Sequence, residues 1–523
     1  MSPSGVDHRQ DNSTTQQDAE VMTKRILWKL DLHVLPSLTL LWLSAFTDRT
    51  NIGNARIAGL EKDTHLHGNQ FNICLAVFYV SYILVELPSN LILKKMKPSR
   101  WLPFLVIAWG TVTTLSGLVH NFSGLIAIRF FLGFCEGGLL PGIMLYLSSL
   151  YRRHELQQRV GIFFAAGSMS GAFGGLLATA ILKMDGVGGL AGWRWIFILE
   201  GLATIIIACL AACFLPADLA TAKFFSQEER EFAVRRFEVD QTGGATLHVW
   251  TSSEQTNKQT DDIEKDVDVS VETPSPVSLE QTGQEREIFE WGEVKRALRD
   301  VQVWLLALTY TGVVVSLYSF SLFLPTIVAG LGYRGGQAQL HTVPPYVPAT
   351  VLTVAVAIIS DKMKLRGPFV LFFLPIAIIG YIISIVAKNN TQRYVAVFLI
   401  ASGVFPCGPC LLSIIPNNVA PHYKRAAATA LYLGSSNCGG FIATFIYTSD
   451  QAPAYIRGHT ITVSFLGMAW VFIALNVAYC YWENRARARG LRQNNIQQYQ
   501  MSLDAGKTRV PMGDRHPDFR FTL

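Results

Sequence analysis

The sequence predicts an all-α membrane protein, and three observations support that prediction. Only 16% of its 523 residues are charged, whereas about a quarter of an average soluble domain is. Half of the residues are hydrophobic, and the mean hydropathy is +0.29. Apolar runs of about 20 residues, the length that a helix needs to cross a bilayer, recur along the chain. With so few charges to cover it, the surface is expected to face lipid, and the net charge of +6 does not suggest nucleic-acid binding.

Twelve apolar runs are each long enough to form a membrane-spanning helix. They are continuous rather than alternating, which favours helices over the strands of a closed barrel. The predicted spans are residues 34–54, 70–93, 101–119, 124–148, 160–182, 193–215, 303–328, 342–360, 367–387, 394–415, 426–448 and 460–482. The chain is thus divided into a tail (1–29), a six-helix half (30–215), a central loop (216–302), a second six-helix half (303–485) and a second tail (486–523).

The distribution of Lys and Arg predicts how the spans are oriented. Basic residues cluster in the loops after spans 2, 4, 8 and 10 and in the C-terminal tail, whereas the other loops are poorer in them. By the positive-inside rule, both termini and the central loop are cytoplasmic, in a multi-pass protein of the cell membrane. The glycosylation sequons at Asn121 and Asn389 then fall outside, in very short loops.

The predicted cytoplasmic regions contain two kinds of segment. Residues 226–237 have the pattern of an amphipathic helix, with a capping box formed by Ser226 and Glu229. Residues 251–290 hold 11 acidic and 3 basic residues and few large apolar ones, so we expect that stretch to be disordered. The polar tail from Gln493 onwards is expected to be disordered as well.

The two halves resemble each other at a nearly fixed offset. A glycine- and serine-rich run that begins at Gly167 in span 5 is matched by one that begins at Gly434 in span 11, 267 residues later. Gly133 in span 4 pairs with Gly403 in span 10 at an offset of 270. Weak internal symmetry between two six-helix halves is typical of the major facilitator fold, in which the substrate site lies near the midplane between the halves.

The charged residues inside the spans all lie in the first half. There are seven of them: Asp48, Arg49, Glu86, Arg129, Glu136, Arg194 and Glu200. A charge in a membrane helix is costly unless it is paired or hydrated, so it marks a functional site by default. The first half is expected to carry the ion chemistry and the second half to contribute shape and neutral hydrogen bonds. Glu86, Arg194 and Glu200 are interpreted as structural, the first two because they lie near span ends.

The depths of the other four charged residues predict a common site. Arg129 and Glu136 are seven residues apart, on one helix face, with a rise of about 10.5 Å between them. Asp48 and Arg49 lie at a depth like that of Arg129, so two guanidinium groups can meet at one level and bind a carboxylate. Asp48 and Glu136 are predicted to bind protons reversibly when buried. Simpler roles stay open, with Asp48 and Arg49 paired to each other and Arg129 bracing the fold.

Some neutral polar residues in the spans are candidate substrate contacts. They are Tyr79 in span 2, Tyr318 in span 7, and Ser435 and Asn437 in span 11. Asn437 is favoured because it lies in a run of glycines and serines. Most such residues in membrane helices only hydrogen-bond a neighbouring helix, and that alternative stays open for each of them.

Three runs of residues carry a resemblance to a known family. They are Asp48 to Arg56 (DRTNIGNAR), Arg129 to Gly138 (RFFLGFCEGG) and Gly192 to Gly201 (GWRWIFILEG). These runs resemble the anion:cation symporter group of the major facilitator superfamily, and more narrowly the fungal allantoate permease family, which includes nicotinate and pantothenate permeases. The resemblance covers about residues 30–485.

The resemblance implies a secondary transporter that takes up a small organic anion with protons by alternating access. In bacterial sugar-acid members of the wider group, an Asp-Arg pair in the first helix and an Arg and a Glu in the fourth serve coupling and binding. The matching positions imply that Asp48 and Glu136 are proton sites. They also imply that Arg49 and Arg129 hold the substrate carboxylate.

The Gly-x-Leu-x-Asp-Arg motif of the superfamily's cytoplasmic loops is only partly kept. After span 2 it is degraded, with Lys94 at the Asp position and Lys95 next to it, and it is better kept after span 8 at Asp361 and Lys362. Both places are interpreted as gating and packing elements. The antiporter signature of span 5 would need Gly-Pro, but alanine follows Gly171, which favours symport.

The favoured hypothesis is proton-coupled import of a small organic anion, such as a carboxylate vitamin or a ureide. One alternative is a carrier that exports a metabolite made by a biosynthetic pathway. An alternative of another class is a nutrient receptor that signals through the acidic loop without transport. An enzyme is not expected, because the buried carboxylates lie in lipid spans and no nucleotide or metal motif accompanies them. We expect no cofactor, no nucleic-acid partner and a monomer in the bilayer.

Overall fold

Each predicted span falls on a helix or on two helices in succession in the structure, a computed structural model that describes residues 7–241, 290–333, 336–420, 422–506 and 512–523. Spans 1–6 correspond to α1–α7 and spans 7–12 to α10–α16. The helices of nine or more residues are α1 (Asp7–Ala55), α2 (Gln70–Lys95), α3 (Pro98–Ser116), α4 (Phe122–Glu136), α5 (Leu139–Leu150), α6 (Arg153–Ile181), α7 (Gly192–Phe214), α8 (Gln227–Gln241), α9 (Trp291–Arg299), α10 (Val301–Gly330), α11 (Val343–Met363), α12 (Gly367–Val386), α13 (Asn390–Val404), α14 (Cys407–Asn418), α15 (His422–Ile446), α16 (Ile456–Ala488) and α17 (Asn494–Asp504).

Many of these helices have the length and composition of membrane spans. In the described part of the chain, eight helical stretches are long and apolar enough to cross a bilayer, and they are Asp18–Asp63, Phe122–Leu150, Gly192–Phe214, Val301–Gly330, Gly336–Met363, Gly367–Val386, Asn390–Asn418 and Ile456–Ala488. Two shorter apolar stretches, Gln70–Glu86 and Met169–Met184, begin in α2 and α6. The chain is therefore a multi-pass helical membrane protein, and the predicted fold class is confirmed.

Spans 4 and 10 are interrupted at equivalent places in the two halves. α4 gives way to α5 across Gly137 and Gly138, and α13 gives way to α14 across Phe405 and Pro406. A Cβ atom on Gly137 would lie 2.6 Å from a backbone oxygen of α2, closer than real Cβ atoms approach. Glycine is therefore needed for the first break to pack on α2. The break leaves Glu136, the last residue of α4, at a helix end inside the bundle.

The bundle has two ends that differ in charge. We call the end that carries Lys97, Arg152, Arg366 and Lys424 the basic face, and the other end the opposite face. The two halves pack closely toward the opposite face. A Cβ atom on Gly53 of α1 would lie 2.5 Å from a backbone oxygen of α10, so the helix backbones are almost in contact.

A polar contact adds to this packing between the halves. The amide nitrogen of Asn72, near the start of α2, donates to the carbonyl oxygens of Thr444 at 2.5 Å and Tyr447 at 3.2 Å, at the end of α15. Asn72 is 1% exposed. The structure is therefore closed at its opposite face.

The helix predicted for residues 226–237 is confirmed as α8, which packs on the first half at the basic face. Its capping box is formed, because Glu229 N donates to Ser226 Oγ at 3.3 Å and Ser226 N donates to Glu229 Oε2 at 2.9 Å. Glu229 also accepts a hydrogen bond of 2.7 Å from Lys29 Nζ of α1, and this bond lowers the pKa of Glu229. Near the end of α8, Arg236 pairs with Glu155 of α6 at 2.9 Å.

The expected disorder of the tail after Gln493 is wrong for the residues that the structure describes. Residues 494–504 form α17, and residues 512–523 run along the basic face of the second half. There, Thr522 N donates to Asn418 Oδ1 at 2.8 Å, and the Asn418 amide donates back to Thr522 O at 2.9 Å.

An ion-pair cluster holds the same tail to α9 and α15. The Asp514 carboxylate binds Lys424 of α15 and lies 3.2 Å from Arg296 Nη2 of α9. Disorder was predicted because a polar segment can bury little apolar surface. This tail is held instead by hydrogen bonds and ion pairs. The acidic stretch at 251–290 was also expected to be disordered. Its residues 251–289 lie outside the part of the chain that the structure describes.

Candidate functional site

Arg49 of α1 lies at the centre of the candidate site, between the two halves. It is 7% exposed, and its Nε and Nη2 atoms each lie 2.6 Å from Glu136 Oε1. Its Nη1 atom donates to the hydroxyl of Tyr318 of α10, in the other half, at 2.7 Å. One guanidinium group thus joins a carboxylate of the first half to a hydroxyl of the second. We call these three residues the Arg49 junction.

Aromatic rings surround the remainder of this guanidinium group. Its central carbon lies 5.1–5.6 Å from the ring centroids of Phe46, Phe78, Tyr82 and Tyr318. A ring face attracts a cation electrostatically, and more strongly where water is excluded. The rings and one carboxylate together therefore compensate the Arg49 charge within the membrane.

The two oxygens of Glu136 have different surroundings. Oε1 accepts from Arg49, whereas Oε2 is buried and has no hydrogen-bond partner among the described residues. Glu136 is 1% exposed. Oε2 is therefore the atom that can take up a proton without first losing a hydrogen bond.

Asp48 does not pair with Arg49, its neighbour in sequence. Its Oδ2 atom accepts from Trp109 Nε1 at 2.6 Å and from Thr113 Oγ1 at 3.3 Å, both on α3. Successive residues of a helix point about 100° apart, so Asp48 faces α3 while Arg49 faces the other half. The simpler role of a mutual Asp48–Arg49 pair is thus excluded, and Asp48 is a separate buried carboxylate at 3% exposure.

Arg129 of α4 is buried without a bonded partner. It is 4% exposed, and within the described part of the chain it makes no hydrogen bond or ion pair. The charges of Asp48 and Glu136 are near enough to act on it. The sequence placed the two arginines at one depth to share a ligand, but in this conformation Arg49 is bound by Glu136. Arg129 therefore has the donors that are open to an anion.

A small cavity adjoins the Arg49 junction between the halves. From the first half it is lined by Arg49, Tyr82 and apolar side chains, and from the second by Tyr310, Tyr318 and Asn437 together with further apolar residues and Ser436. Its free volume is about 30 Å³, enough for two or three water molecules at about 10–15 Å³ each. A site for a small organic molecule occupies several hundred Å³, so the halves must separate to admit one.

A buried charged junction between two six-helix halves, closed at one face, is the geometry of an alternating-access carrier. The sequence profile of the Major Facilitator Superfamily matches residues 38–444. The chain belongs to this superfamily. It is a membrane transporter of the major facilitator type and not an enzyme, and its cargo is a small molecule.

Relatives of this transporter include two yeast proteins. It is 37% identical over 499 residues to "Uncharacterized transporter C1002.16c" of Schizosaccharomyces pombe, covering 95% of this chain and 90% of the other. It is 30% identical over 444 residues to the "High-affinity nicotinic acid transporter" of Saccharomyces cerevisiae, covering 85% and 75%. The resemblance to fungal permeases of this superfamily is thus confirmed.

A solved structure with the same fold is the bacterial homologue of the human lysosomal transporter Spinster, in an inward-facing and occupied conformation. It aligns with a TM-score of 0.59 and covers 85% of this chain and 96% of the other. The sequence identity is 16%, so the likeness concerns the fold alone.

Two neutral candidates of the transporter, in span 11, have different positions. Asn437 lines the cavity, and its amide donates to Glu86 Oε2 of α2 at 2.9 Å, across the two halves. Ser435 does not line the cavity, and its hydroxyl donates to the carbonyl of Tyr432 within its own helix. Its neighbour Ser436 is the serine at the cavity wall.

Tyr79 is a packing neighbour of the junction and does not line the cavity. Its ring lies 5.4 Å from that of Tyr318, and it presses against Gly440, where a side chain would clash with it. Tyr79 is 3% exposed. Tyr79 therefore packs against Tyr318 in this conformation.

Glu86 and Tyr82 were not among the predicted site residues, yet both contact the site. Glu86 was interpreted as structural because of its depth, but it bonds Asn437 of the other half. A signal was present, since Tyr79, Tyr82 and Glu86 are spaced by three and four residues and so share one helix face. Tyr310, a cavity residue of α10, lies eight residues before Tyr318 and carried no signal other than its polarity within an apolar span.

The motif positions at the basic face are only partly described. Asp361 accepts from Arg366 Nη2 at 3.4 Å, and Arg366 Nη1 donates to the backbone of α14 at 2.9 Å. This arrangement ties the loop after span 8 to span 10, and Lys362 is exposed beside it. The side chains of Lys94 and Lys95 lie outside the described set.

The sequons and Arg194 lie away from the cavity. The Asn121 side chain accepts from Gly124 N at 2.8 Å and so caps α4, while Asn389 is the exposed residue that precedes α13. Arg194 donates to the carbonyl of Gly117 at 2.8 Å, next to His120. Its contacts fit the structural role expected for it.

Proposed function

We propose that this transporter imports a small organic anion together with protons, and that anion and proton meet at the Arg49 junction. The forked donors of a guanidinium group match the two oxygens of a carboxylate. In the closed conformation Glu136 occupies those donors. A substrate carboxylate must therefore displace Glu136 from Arg49 in order to bind.

Charge balance couples this displacement to a proton. Arg49 and Glu136 carry no net charge together, so an added anion would leave an uncompensated negative charge among buried groups, which is costly. A proton on Glu136 restores neutrality, and Oε2 is the open atom to receive it. One anion and one proton thus load the site without a change of net charge.

A second proton on Asp48 would give the loaded carrier a positive charge. Movement of one positive charge into a cell with a negative interior gains about 2.3 kcal/mol per 100 mV. Arg129, which has no bonded partner in the described structure, attracts the anion and lies within electrostatic range of Asp48. In this scheme the two arginines bind substrate and the two carboxylates carry protons.

The substrate class follows from the donors and from a relative. Two buried guanidinium groups with neutral partners at Tyr318 and Asn437 suit a small carboxylate with one or two further polar atoms. The nicotinic acid transporter of Saccharomyces cerevisiae is named for such a compound. These points support a place in the allantoate permease family, with a carboxylate vitamin or ureide as cargo.

The same proposal includes an orientation in the membrane. The Lys and Arg of the basic face support a cytoplasmic position for that face and for both termini, in the cell membrane. Asn121 and Asn389 are then external and open to glycosylation. The loop at Asp361 and Lys362, with Lys94 and Lys95, acts as a gate at the cytoplasmic side, and the transporter functions as a monomer.

The test uses the purified transporter in proteoliposomes with an imposed pH gradient. Nicotinate and other small carboxylates are supplied at the acidic side, with nicotinamide and the other matching amides as neutral controls. We expect at least one carboxylate to accumulate only when the gradient is present, and no amide to do so. Accumulation of a carboxylate without a gradient would contradict the proton coupling. Equal transport of an amide would contradict the selectivity for anions.

A further inference from the structure

A second buried polar cluster lies toward the opposite face, away from the cavity. It consists of Asn51 and Asn54 of α1, Glu200 of α7, and Gln339 in the short helix Gly336–Leu340 of the second half. None of the four is more than 4% exposed. None of them lines the cavity at Arg49. The cluster is therefore a separate feature that bridges the halves.

The hydrogen bonds of the cluster all run toward Glu200. The Gln339 amide donates to Asn54 O at 3.3 Å, and the Asn54 amide donates to Asn51 Oδ1 at 2.8 Å. The Asn51 amide then donates to Glu200 Oε1 in a short contact. A chain of neutral donors thus ends on a carboxylate, which is the favourable direction for it.

Three acceptor oxygens of this cluster have nothing to accept. Glu200 Oε2, Asn54 Oδ1 and Gln339 Oε1 are buried and have no hydrogen-bond partner among the described residues. Buried polar atoms are rarely left so, and acceptors cannot satisfy one another. The open atoms of the cluster are thus all acceptors, which a cation or a proton would satisfy.

The charged groups around Glu200 do not supply that cation. Asp48 of α1 adds a second negative charge. At the opposite face, Arg56 is paired with Glu61 at 2.8 Å, and Asp63 accepts from Trp193. Spans 3 and 5, which also surround α7, contain no charged residue. Among the described residues, no Lys, Arg or His pairs with Glu200.

The backbone of α1 changes form directly after the cluster. Residues Arg56–Leu60 form a π-helical turn with Gly59 at a φ of +110°. Such turns are rare and are frequently found at functional sites. The α6 backbone also comes close, since a Cβ atom on Gly174 would lie 2.8 Å from Asn51 Oδ1. Asn51, which links Asn54 to Glu200, is therefore tightly packed, and the α1 backbone is irregular directly after the cluster.

We propose that Glu200, Asn54 and Gln339 form a binding site for a small monovalent cation, Na⁺ or a proton, distinct from the Arg49 junction. One carboxylate with two amide oxygens carries a single negative charge. This suits a monovalent ion better than Ca²⁺ or Mg²⁺, which take six or more oxygen ligands and usually more than one carboxylate. Because Gln339 belongs to the second half, the bound cation stabilises the closed opposite face.

The experiment measures the thermal unfolding midpoint of the purified full-length transporter in detergent. In one arm Na⁺ replaces choline at constant ionic strength and pH, and in the other the pH is varied in choline alone. A ligand that binds only the folded state stabilises it by RT ln(1 + [L]/Kd), so the midpoint keeps rising with ligand concentration. A bound proton is released on unfolding, so it stabilises at low pH and its contribution is lost as the pH rises.

We expect the wild type to gain several degrees in one of the two arms, and Glu200→Gln to lose that gain. Glu61→Gln, a matched change at the opposite face outside the cluster, should keep it. If Glu200→Gln does not fold, Gln339→Leu keeps the charge, removes one open oxygen, and should shift the response to higher cation concentration. Equal responses of the wild type and the cluster variants in both arms would overturn the proposal. This outcome would leave the coupling at Glu136 untouched, because that is measured by transport.

Discussion

The Arg49 junction makes a quantitative prediction for Glu136→Gln. The substitution keeps an oxygen that can accept from Arg49 but removes the charge and the titratable group. The glutamine still accepts a hydrogen bond from the charged Arg49, but the attraction between opposite charges is lost, and for close charge pairs this attraction is about 1.5–7 kcal/mol. The hold of residue 136 on Arg49 should therefore weaken by about 1.5 kcal/mol or more, and each 1.4 kcal/mol is about a factor of ten in affinity.

Substrate competes with Glu136 for Arg49, so the variant should bind its carboxylate roughly tenfold more tightly at neutral pH. Its affinity should also lose most of its dependence on pH. Transport driven by the gradient should stop. The proton carried on Glu136 alone drives about tenfold accumulation per unit of pH difference in the wild type, whereas Glu136→Gln should only exchange internal for external substrate.

The assay is uptake of a labelled carboxylate into proteoliposomes, with exchange measured in the same preparation. Glu229→Gln is a matched control, because it makes the same chemical change at the basic face and should accumulate substrate like the wild type. If Glu136→Gln accumulates substrate to the wild-type level, or keeps the wild-type pH dependence of affinity, Glu136 is not the coupling group. Protonation of the open Oε2 atom would then not be the coupling step.

Three further outcomes are expected. Tyr318→Phe removes a hydrogen bond to the charged Arg49, which is worth about 1.5–3 kcal/mol. The variant should therefore have a lower unfolding midpoint and a higher KM for the carboxylate. If neither quantity changed, the contact would contribute to neither stability nor substrate binding. Arg129→Ala should abolish carboxylate binding measured by calorimetry, and unchanged affinity would remove it from the site. Since the Lys29 hydrogen bond lowers the pKa of Glu229, the folded state favours the ionised carboxylate, so its contribution to the packing of α8 is present at neutral pH and lost as the pH falls below about 4. Limited proteolysis should show α8 protected at pH 7 and cut in acid, and an acid-insensitive pattern would contradict this.

The spans were predictable because crossing a bilayer imposes a length and an apolar composition on every helix, and both can be read from the sequence. The breaks in spans 4 and 10 also left a trace in the sequence. Gly137 and Gly138 mark the first break, and Pro406, which aligns with Glu136 when the two halves are matched, marks the second. The order of the tail left none. It depends on the Asn418 and Lys424 side chains, which are far away in sequence, and a polar segment gives no sign of such partners.

The site was predicted as a set of residues but not as a set of contacts. Counting residues along a helix gives depth, and this placed Arg49, Arg129 and Glu136 in one region of the bundle. It does not give the rotation of one helix against another, so the pairing of Arg49 with Glu136 and the turn of Asp48 toward α3 were not foreseen. Contacts across the halves, such as Glu86 with Asn437, depend on how two domains meet, which a single sequence does not state.

The positions of α8 and α9 have a practical consequence for dividing the chain. α8 is fastened to α1 and α6, whereas α9 is fastened to α15 and to the C-terminal segment. A cut made anywhere between residues 242 and 289 would therefore leave each of these helices with its own set of six spans. Two separately translated fragments, expressed together, should reassemble through the Arg49–Tyr318 contact and the packed opposite face.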